Sequence, residues 1–283
     1  MKITLLIIDP DFDFIEPNGG SLYVQGSNSK MKKLSDWIKN RGLTVIDNIV
    51  TSQDAHNILH FGNLGNWVDE ENKPFTSPGT QISYQMYKKS KAKLNPSIYN
   101  KDKFYEKLAE DYLKDLDKKG MSLFLWPIHS LDGSIGQAFP EFLIEAINDW
   151  SIYHKKPIHI IRKGQKIYRD MYSIFSYDIP DGKEKGPKEA QSYLKRIAKS
   201  CDKLLISGQA GDFCVERTIK DLLEFTDNNP KAENYKNKLI FLTDTISFID
   251  ENNKKEIYKI AIEKYGAKEM TIEEINGWIK SLQ

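Results

Sequence analysis

Three residues have the types and settings for nucleophilic and acid–base chemistry. Cys214 lies in "ISGQAGDFCVERT", after two glycines, and Val215, Ile219, Leu222 and Leu223 follow it at helical spacing. The cysteine therefore reads as the start of a helix. Unpaired N–H groups and the positive end of the helix dipole favour a thiolate there. The backbone amides from Ala210 to Cys214 could also hold an oxyanion. An isolated cysteine more often packs as a small hydrophobe. Cys201 reads that way, on the apolar stripe of Ala190, Leu194, Ile197 and Ala198. Asp9 closes the first apolar run and could take a proton from a thiol, although a lone strand-end acid is more often solvated. Lys163 ends the run from 157 to 162 and could pair with Asp9, although a lone lysine is more often on the surface.

A second set has the chemistry of a metal site. In "SQDAHNILHFG", Asp54 and His56 stand two apart, and an extended segment puts such side chains on one side. Both could reach one ion, with His129 of "LWPIHSLDG" as a candidate third ligand. An Asp/His/His set with open positions suits Zn²⁺, Fe²⁺ or Mn²⁺. His154 and His159 lack acidic neighbours and read as structural.

Alternating strands and helices must position these groups. Apolar runs at 3–8, 43–50, 123–126, 158–161, 204–206 and 239–242 read as buried strands. Between them, Phe142, Leu143, Ala146, Ile147 and Trp150 share one helical face. The pattern predicts an α/β fold of three layers, α/β/α, around a mostly parallel sheet. Sites in such sheets collect at the carboxyl ends of the strands, where Asp9, 51–56, His129, Lys163 and the turn 208–214 fall. The stretch from about 61 to 120 is polar and turn-rich, then gives a helix with Phe104, Leu108, Tyr112 and Leu116 on a stripe. It reads as an insertion into a single domain spanning 1–283, either a lid over the site or a structural addition. Thr271 and Glu274 form a capping box before an apolar helix through Ile275, Ile279 and Leu282.

The 283 residues carry a formal net charge of +1, with 40% hydrophobic and 29% charged residues. No field of either sign points to nucleic acid or an anionic membrane. The first apolar run is too short to span a bilayer and ends in acids, so a strand is expected rather than a signal peptide. Two cysteines make no disulfide framework in a chain of this size, which leaves a cytoplasmic setting as the expectation.

Together these segments resemble the nicotinamidases, among the isochorismatase-like cysteine hydrolases. The resemblance rests on "LLIIDPDFDFIEPNGGSLYVQGS", "SQDAHNILHF", "WPIHSLDGSIGQAF", "RKG" followed by "MYSIF", and "SGQAGDFCV", in that order. It covers most of the chain outside the insertion, and the insertion resembles that of a longer bacterial subgroup. It implies Cys214 as nucleophile, Asp9 as base and Lys163 as third member of a triad. It implies Asp54, His56 and His129 as metal ligands, with His60 as a weaker candidate and zinc ahead of iron or manganese. Phe14, Trp126 and Tyr172 would line an aromatic pocket for a flat pyridine ring. The amides of Ala210 and Cys214 would be the oxyanion donors, with a cis peptide between Gln209 and Ala210. The implied activity is conversion of nicotinamide to nicotinate and ammonia, a step of NAD salvage, through a cysteine thioester. The partner expected is a small amide, without nucleic acid or membrane, and a homo-oligomer is left open. The alternatives are a metal-independent amidase acting on another small amide or ureido compound, and a catalytically silent binding protein on the same scaffold. The chain departs from the pattern at Asp11, where glutamine is usual, and at Ser130, where cysteine is common. It also departs at Gln209, where a small apolar residue is usual, and at Ile174, where glycine is usual.

Overall fold

Every residue of the strand β1, Ile3–Ile8, is buried. A strand covered on both faces needs no polar alternation, and the run "ITLLII" has almost none. The computed structural model describes residues 1–231, 234–253 and 256–281. Its further strands are β2 (Asn48–Asp54), β3 (Trp67–Val68), β4 (Thr80–Ile82), β5 (Lys93–Leu94) and β6 (Leu123–Leu125). They are followed by β7 (His159–Lys163), β8 (Lys203–Gly208), β9 (Leu239–Ile246) and β10 (Lys268–Met270). Six form one parallel sheet in the order β10-β9-β8-β1-β2-β7.

Side chains alternate across this sheet and define two cores. Leu5, Ile7, Leu205, Ile240 and Leu242 pack under the helices Ser27–Trp37, Glu141–His154 and Ile272–Lys280. Leu6, Ile8, Leu204, Ile206 and Phe241 pack under Lys188–Ser200, Cys214–Asn228 and Glu256–Tyr265. The result is the three-layer α/β/α architecture expected. The chain runs outward from β1 through β2 to β7, then returns to β8 on the other side of β1. That reversal makes a crevice at the carboxyl ends of β1 and β8.

Two expected strands are corrected. The run 43–50 is not one strand: the helix Ser27–Trp37 continues through a wider turn, Ile38–Gly42, into Leu43–Val45, and β2 begins only at Asn48. The Ile46 amide bonds the Gly42 carbonyl, which keeps this apolar stretch helical. The run 123–126 is a strand outside the parallel sheet, pairing antiparallel with β4 so that Thr80 faces Leu125 and Ile82 faces Leu123. The sixth strand of the sheet is instead the short, largely polar β10.

The stretch 61–120 has its own hydrophobic cluster, which includes Phe61, Trp67, Ile82, Tyr99, Tyr112 and Leu116. Its helix Lys103–Asp117 buries Ala109, Tyr112, Leu113 and Leu116. Phe104, expected on that stripe, is 64% exposed. It lies in the first turn beside the cap Asp102, while Tyr105 turns inward against Tyr99. Cys201 is buried just past the end of its helix and packs in the core. The capping box of Thr271 and Glu274 is formed and Ile275 is buried beyond it, whereas Leu282 lies outside the described residues. Among the described residues, no helix is long and apolar enough to cross a membrane.

Trp150 shows how tightly one face is locked. Its ring is buried, and its indole N–H donates to the Ile46 carbonyl at 2.9 Å. Trp150→Ala should cost about 3–5 kcal/mol, from a large cavity with an orphaned carbonyl. Chemical denaturation of both proteins checks this, as a lowered midpoint with the slope unchanged.

Candidate active site

Asp9 follows β1 in a left-handed conformation, with φ +46°. Ser52 Oγ, on the neighbouring β2, donates to Asp9 Oδ1 at 2.7 Å and accepts from the Asp9 amide at 2.9 Å. Gln209 Nε2 donates to the Asp9 carbonyl at 2.7 Å. This gives the departure at Gln209 a use, since it ties the turn after β8 to the base after β1. Gly208 makes the approach feasible: a Cβ there would lie 2.1 Å from the Ile8 carbonyl oxygen. The Gln209–Ala210 peptide is cis, as the resemblance implied.

Lys163 closes β7 in register with Asp54 at the end of β2. Its Nζ lies 3.0 Å from Asp9 Oδ2, 3.2 Å from Asp54 Oδ1 and 3.7 Å from Cys214 Sγ. Burial alone would lower the pKa of this ammonium, but Asp54 and Asp9 outweigh burial and hold it well above the usual lysine range. Burial likewise works against the charge on Asp54, yet His56, Lys163 and His129 keep it well below the usual carboxylate range.

Cys214 is the first residue of its helix, as expected, and it is buried. Burial pushes its thiol well up, opposed by Lys163 and reinforced by Asp9 and Asp54. The helix start alone therefore does not make a resting thiolate. Asp9 is raised too, by burial first and by Asp54, with Lys163 opposing. A raised carboxylate is a stronger proton acceptor, and passing the thiol proton to Asp9 leaves the buried charge unchanged. Among the described residues, no hydrogen bond takes up the amide of Ala210 or of Cys214, so both remain free donors at this turn.

The walls of the adjoining pocket are aromatic. Phe14, Trp126 and Tyr172 all line it, and the Trp126 indole donates to Tyr172 Oη at 2.8 Å. Phe213, which the sequence reading missed, stands edge-on to Trp126 with ring centres 5.1 Å apart. Its place beside Cys214 was the available signal.

Asp54, His56 and His129 each offer a ligand atom, all within 4.8 Å of one another. His129 Nδ1 lies 2.7 Å from the Pro127 carbonyl and His56 Nδ1 lies 3.2 Å from the Gly164 carbonyl. A carbonyl only accepts, so each Nδ1 carries a proton. The two Nε2 atoms then face the anionic Asp54 Oδ2, at 3.0 and 3.4 Å. Asp54 calls for positive charge on this side, and either protons on the two Nε2 atoms or a bound cation supplies it. A divalent metal with N and O ligands fits, and the carbonyls on Nδ1 are the outer partners that such ligands use. Gly164, also unremarked in the sequence, is needed here. A Cβ on it would lie 2.6 Å from His56 Cε1 and 2.7 Å from Asp54 Oδ1.

His60 packs against His56 with the rings tilted and their centres 4.4 Å apart, but stays outside the converging set. Its Nδ1 accepts from the Gly62 amide at 3.0 Å, so Nε2 bears the proton, and Asp170 Oδ1 is the nearest carboxylate oxygen at 3.8 Å. Asp170 is a pocket residue that sequence reasoning missed. Tyr112 Oη, from the helix Lys103–Asp117, donates to its Oδ2 at 3.1 Å and accepts from its amide at 3.0 Å. The stretch 61–120 thus reaches the site through Gly62 and Asn63, which line the pocket, and through Tyr112 behind Asp170, while 64–125 contribute no lining residue.

Burial, with Asp178 nearby, pushes the Asp170 carboxyl up to about 8 from 3.8. Below pH 3.8 the folded and unfolded chains both hold this proton. Between the two values only the folded chain holds it, so stability falls as pH rises, until about pH 8. Asp170→Asn has no such loss. Melting temperatures at about pH 5 and pH 9 should show the variant gaining on the parent at the higher pH. A difference between the two proteins that does not change with pH would contradict this.

No protein-family model and no curated protein sequence matches the chain. Solved structures do. An Acinetobacter baumanii nicotinamidase/pyrazinamidase aligns with a TM-score of 0.62 at 21% identity, over 97% of this chain and 98% of its own. A Pyrococcus horikoshii pyrazinamidase in complex with zinc aligns at 0.51 and 16% identity, over 96% and 99%. An isochorismatase-like hydrolase from Alkaliphilus metalliredigens aligns at 0.50 and 18% identity, over the whole of both chains. The chain has the three-layer α/β/α fold that nicotinamidases share with isochorismatase-like hydrolases.

Proposed function

We propose that this chain is a metal-assisted cysteine amidase that hydrolyses nicotinamide to nicotinate and ammonia. The reading is carried by one juxtaposition: Lys163 Nζ lies 3.0 Å from Asp9 and 3.7 Å from Cys214 Sγ, beside the converging Asp54, His56 and His129. It is supported by the aromatic walls and by the nicotinamidase and pyrazinamidase names of the structural neighbours.

In this reading Asp9 takes the Cys214 proton as sulfur attacks the carboxamide carbon. The C=O π pair moves to oxygen, which the amides of Ala210 and Cys214 stabilise. Asp9 returns the proton to the leaving nitrogen, the C–N bond breaks, and ammonia departs. Asp9 then takes a proton from water as it attacks the thioester, the C–S bond breaks, and the thiol is restored. Lys163 holds Asp9 in place and offsets negative charge on the thiol. Phe14, Trp126, Tyr172 and Phe213 grip the ring and exclude water. A divalent metal held by Asp54, His56 and His129, with zinc first among candidates for these donors, would supply a Lewis-acidic anchor for a ring nitrogen. The convergence of those three groups weighs against the metal-independent alternative. The intact Asp9/Lys163/Cys214 cluster weighs against a silent binding protein.

Ammonia release from nicotinamide, by protein of measured metal content, tests the proposal. The parent and Cys201→Ala should release ammonia, and Cys214→Ala should release none while staying folded. Activity in Cys214→Ala, or none from metal-loaded parent, would contradict it.

A further inference from the structure

The charges of the site do not account for Asp11 and Ser130, which are both fully buried. These are two of the positions at which the chain departs from the pattern it resembles, and here they touch. Asp11 Oδ2 accepts from Ser130 Oγ at 3.1 Å and from the Asp54 amide at 2.8 Å. The Ser130 amide donates to Asp13 Oδ2 at 2.7 Å, and its carbonyl accepts from the His56 amide at 3.0 Å. Ser130 also directly follows His129 and holds a left-handed conformation, with φ +44°. A residue without glycine's freedom persists there only when its surroundings fix it. The backbone of Asp54, that of His56 and the residue after His129 thus meet at one hydrogen-bonded pair.

We infer that Asp11 and Ser130 are positioning residues that clamp the three candidate metal ligands into their converging arrangement. The inference rests on the metal site of the proposed function. It assigns Asp11 the task of an oxygen acceptor rather than that of a charge. One oxygen takes two donors, from β2 and from the loop after β6, which are otherwise distant in sequence. An asparagine side-chain oxygen has the two lone pairs to do the same. Leucine has none. Ser130→Ala removes the hydroxyl donor and leaves the amide and carbonyl contacts of residue 130 intact.

The test is zinc affinity, measured by competition with a chromophoric chelator, alongside the unfolding midpoint of the metal-free proteins. Asp11→Leu and Ser130→Ala should bind zinc about 10–100-fold more weakly, the usual effect of losing a partner that orients metal ligands. Asp11→Asn should stay near the parent. The metal-free midpoint of Ser130→Ala should be close to that of the parent, so this variant carries the test if Asp11→Leu does not fold. Parental affinity in Ser130→Ala, or a loss in Asp11→Asn as large as in Asp11→Leu, would overturn the clamp and leave the proposed function standing. A parent that binds no zinc would overturn both.

Discussion

A buried ammonium between two carboxylates is the constraint on which the rest of the site depends. Lys163 is 2% exposed, and water cannot offset its charge. Removing one partner of such a group leaves an uncompensated buried charge, at a cost of about 3–5 kcal/mol. Strand register supplies the partners. Lys163 and Asp54 stand side by side on β7 and β2, and Asp9 follows β1 on the other side of β2. Parallel strands with their carboxyl ends together can assemble this cluster from residues far apart in sequence. The nucleophile and the candidate metal ligands then share one cation, through Asp9 on one side and Asp54 on the other.

The turn after β8 completes the arrangement. Gly208 lets this strand end close on Ile8, and Gln209 fastens the turn to the Asp9 carbonyl. Cys214 arrives at the head of its helix against Lys163. The stretch 61–120 has a separate hydrophobic cluster; its start lines the pocket with Gly62 and Asn63, and its helix reaches the wall through Tyr112 and Asp170. The strand pair β4–β6 leads from this stretch into Trp126.

Much of this was legible because buried parallel strands leave a plain trace. β1, β7, β8 and β9 were found within a few residues, and the groups at their ends were named. Sequence reading failed where an apolar run has more than one use. The β-branched residues of 43–50 read as strand, but hydrogen bonding to Gly42 keeps their first half helical. Residues 123–126 have the composition of a central strand, and only pairing with β4 takes them out of the sheet. β10 is three mostly polar residues and leaves no pattern to find. In the site, residue types that do chemistry were visible, whereas the contacts that hold them were not: Gln209, Asp11 and Ser130 showed only as departures from the pattern. Gly164, Asp170 and Gln209 act through contacts with partners up to 200 residues away.

Lys163 opposes the effect of burial on the Cys214 thiol and supports negative charge on it. The direct measurement is the pH dependence of Cys214 alkylation by iodoacetamide, with Cys201 replaced by alanine, in the parent background and in Lys163→Met protein shown to be folded. Losing the ammonium should move the alkylation profile to higher pH, because burial then acts on the thiolate without the cation that opposes it. The same profile in both proteins would contradict it.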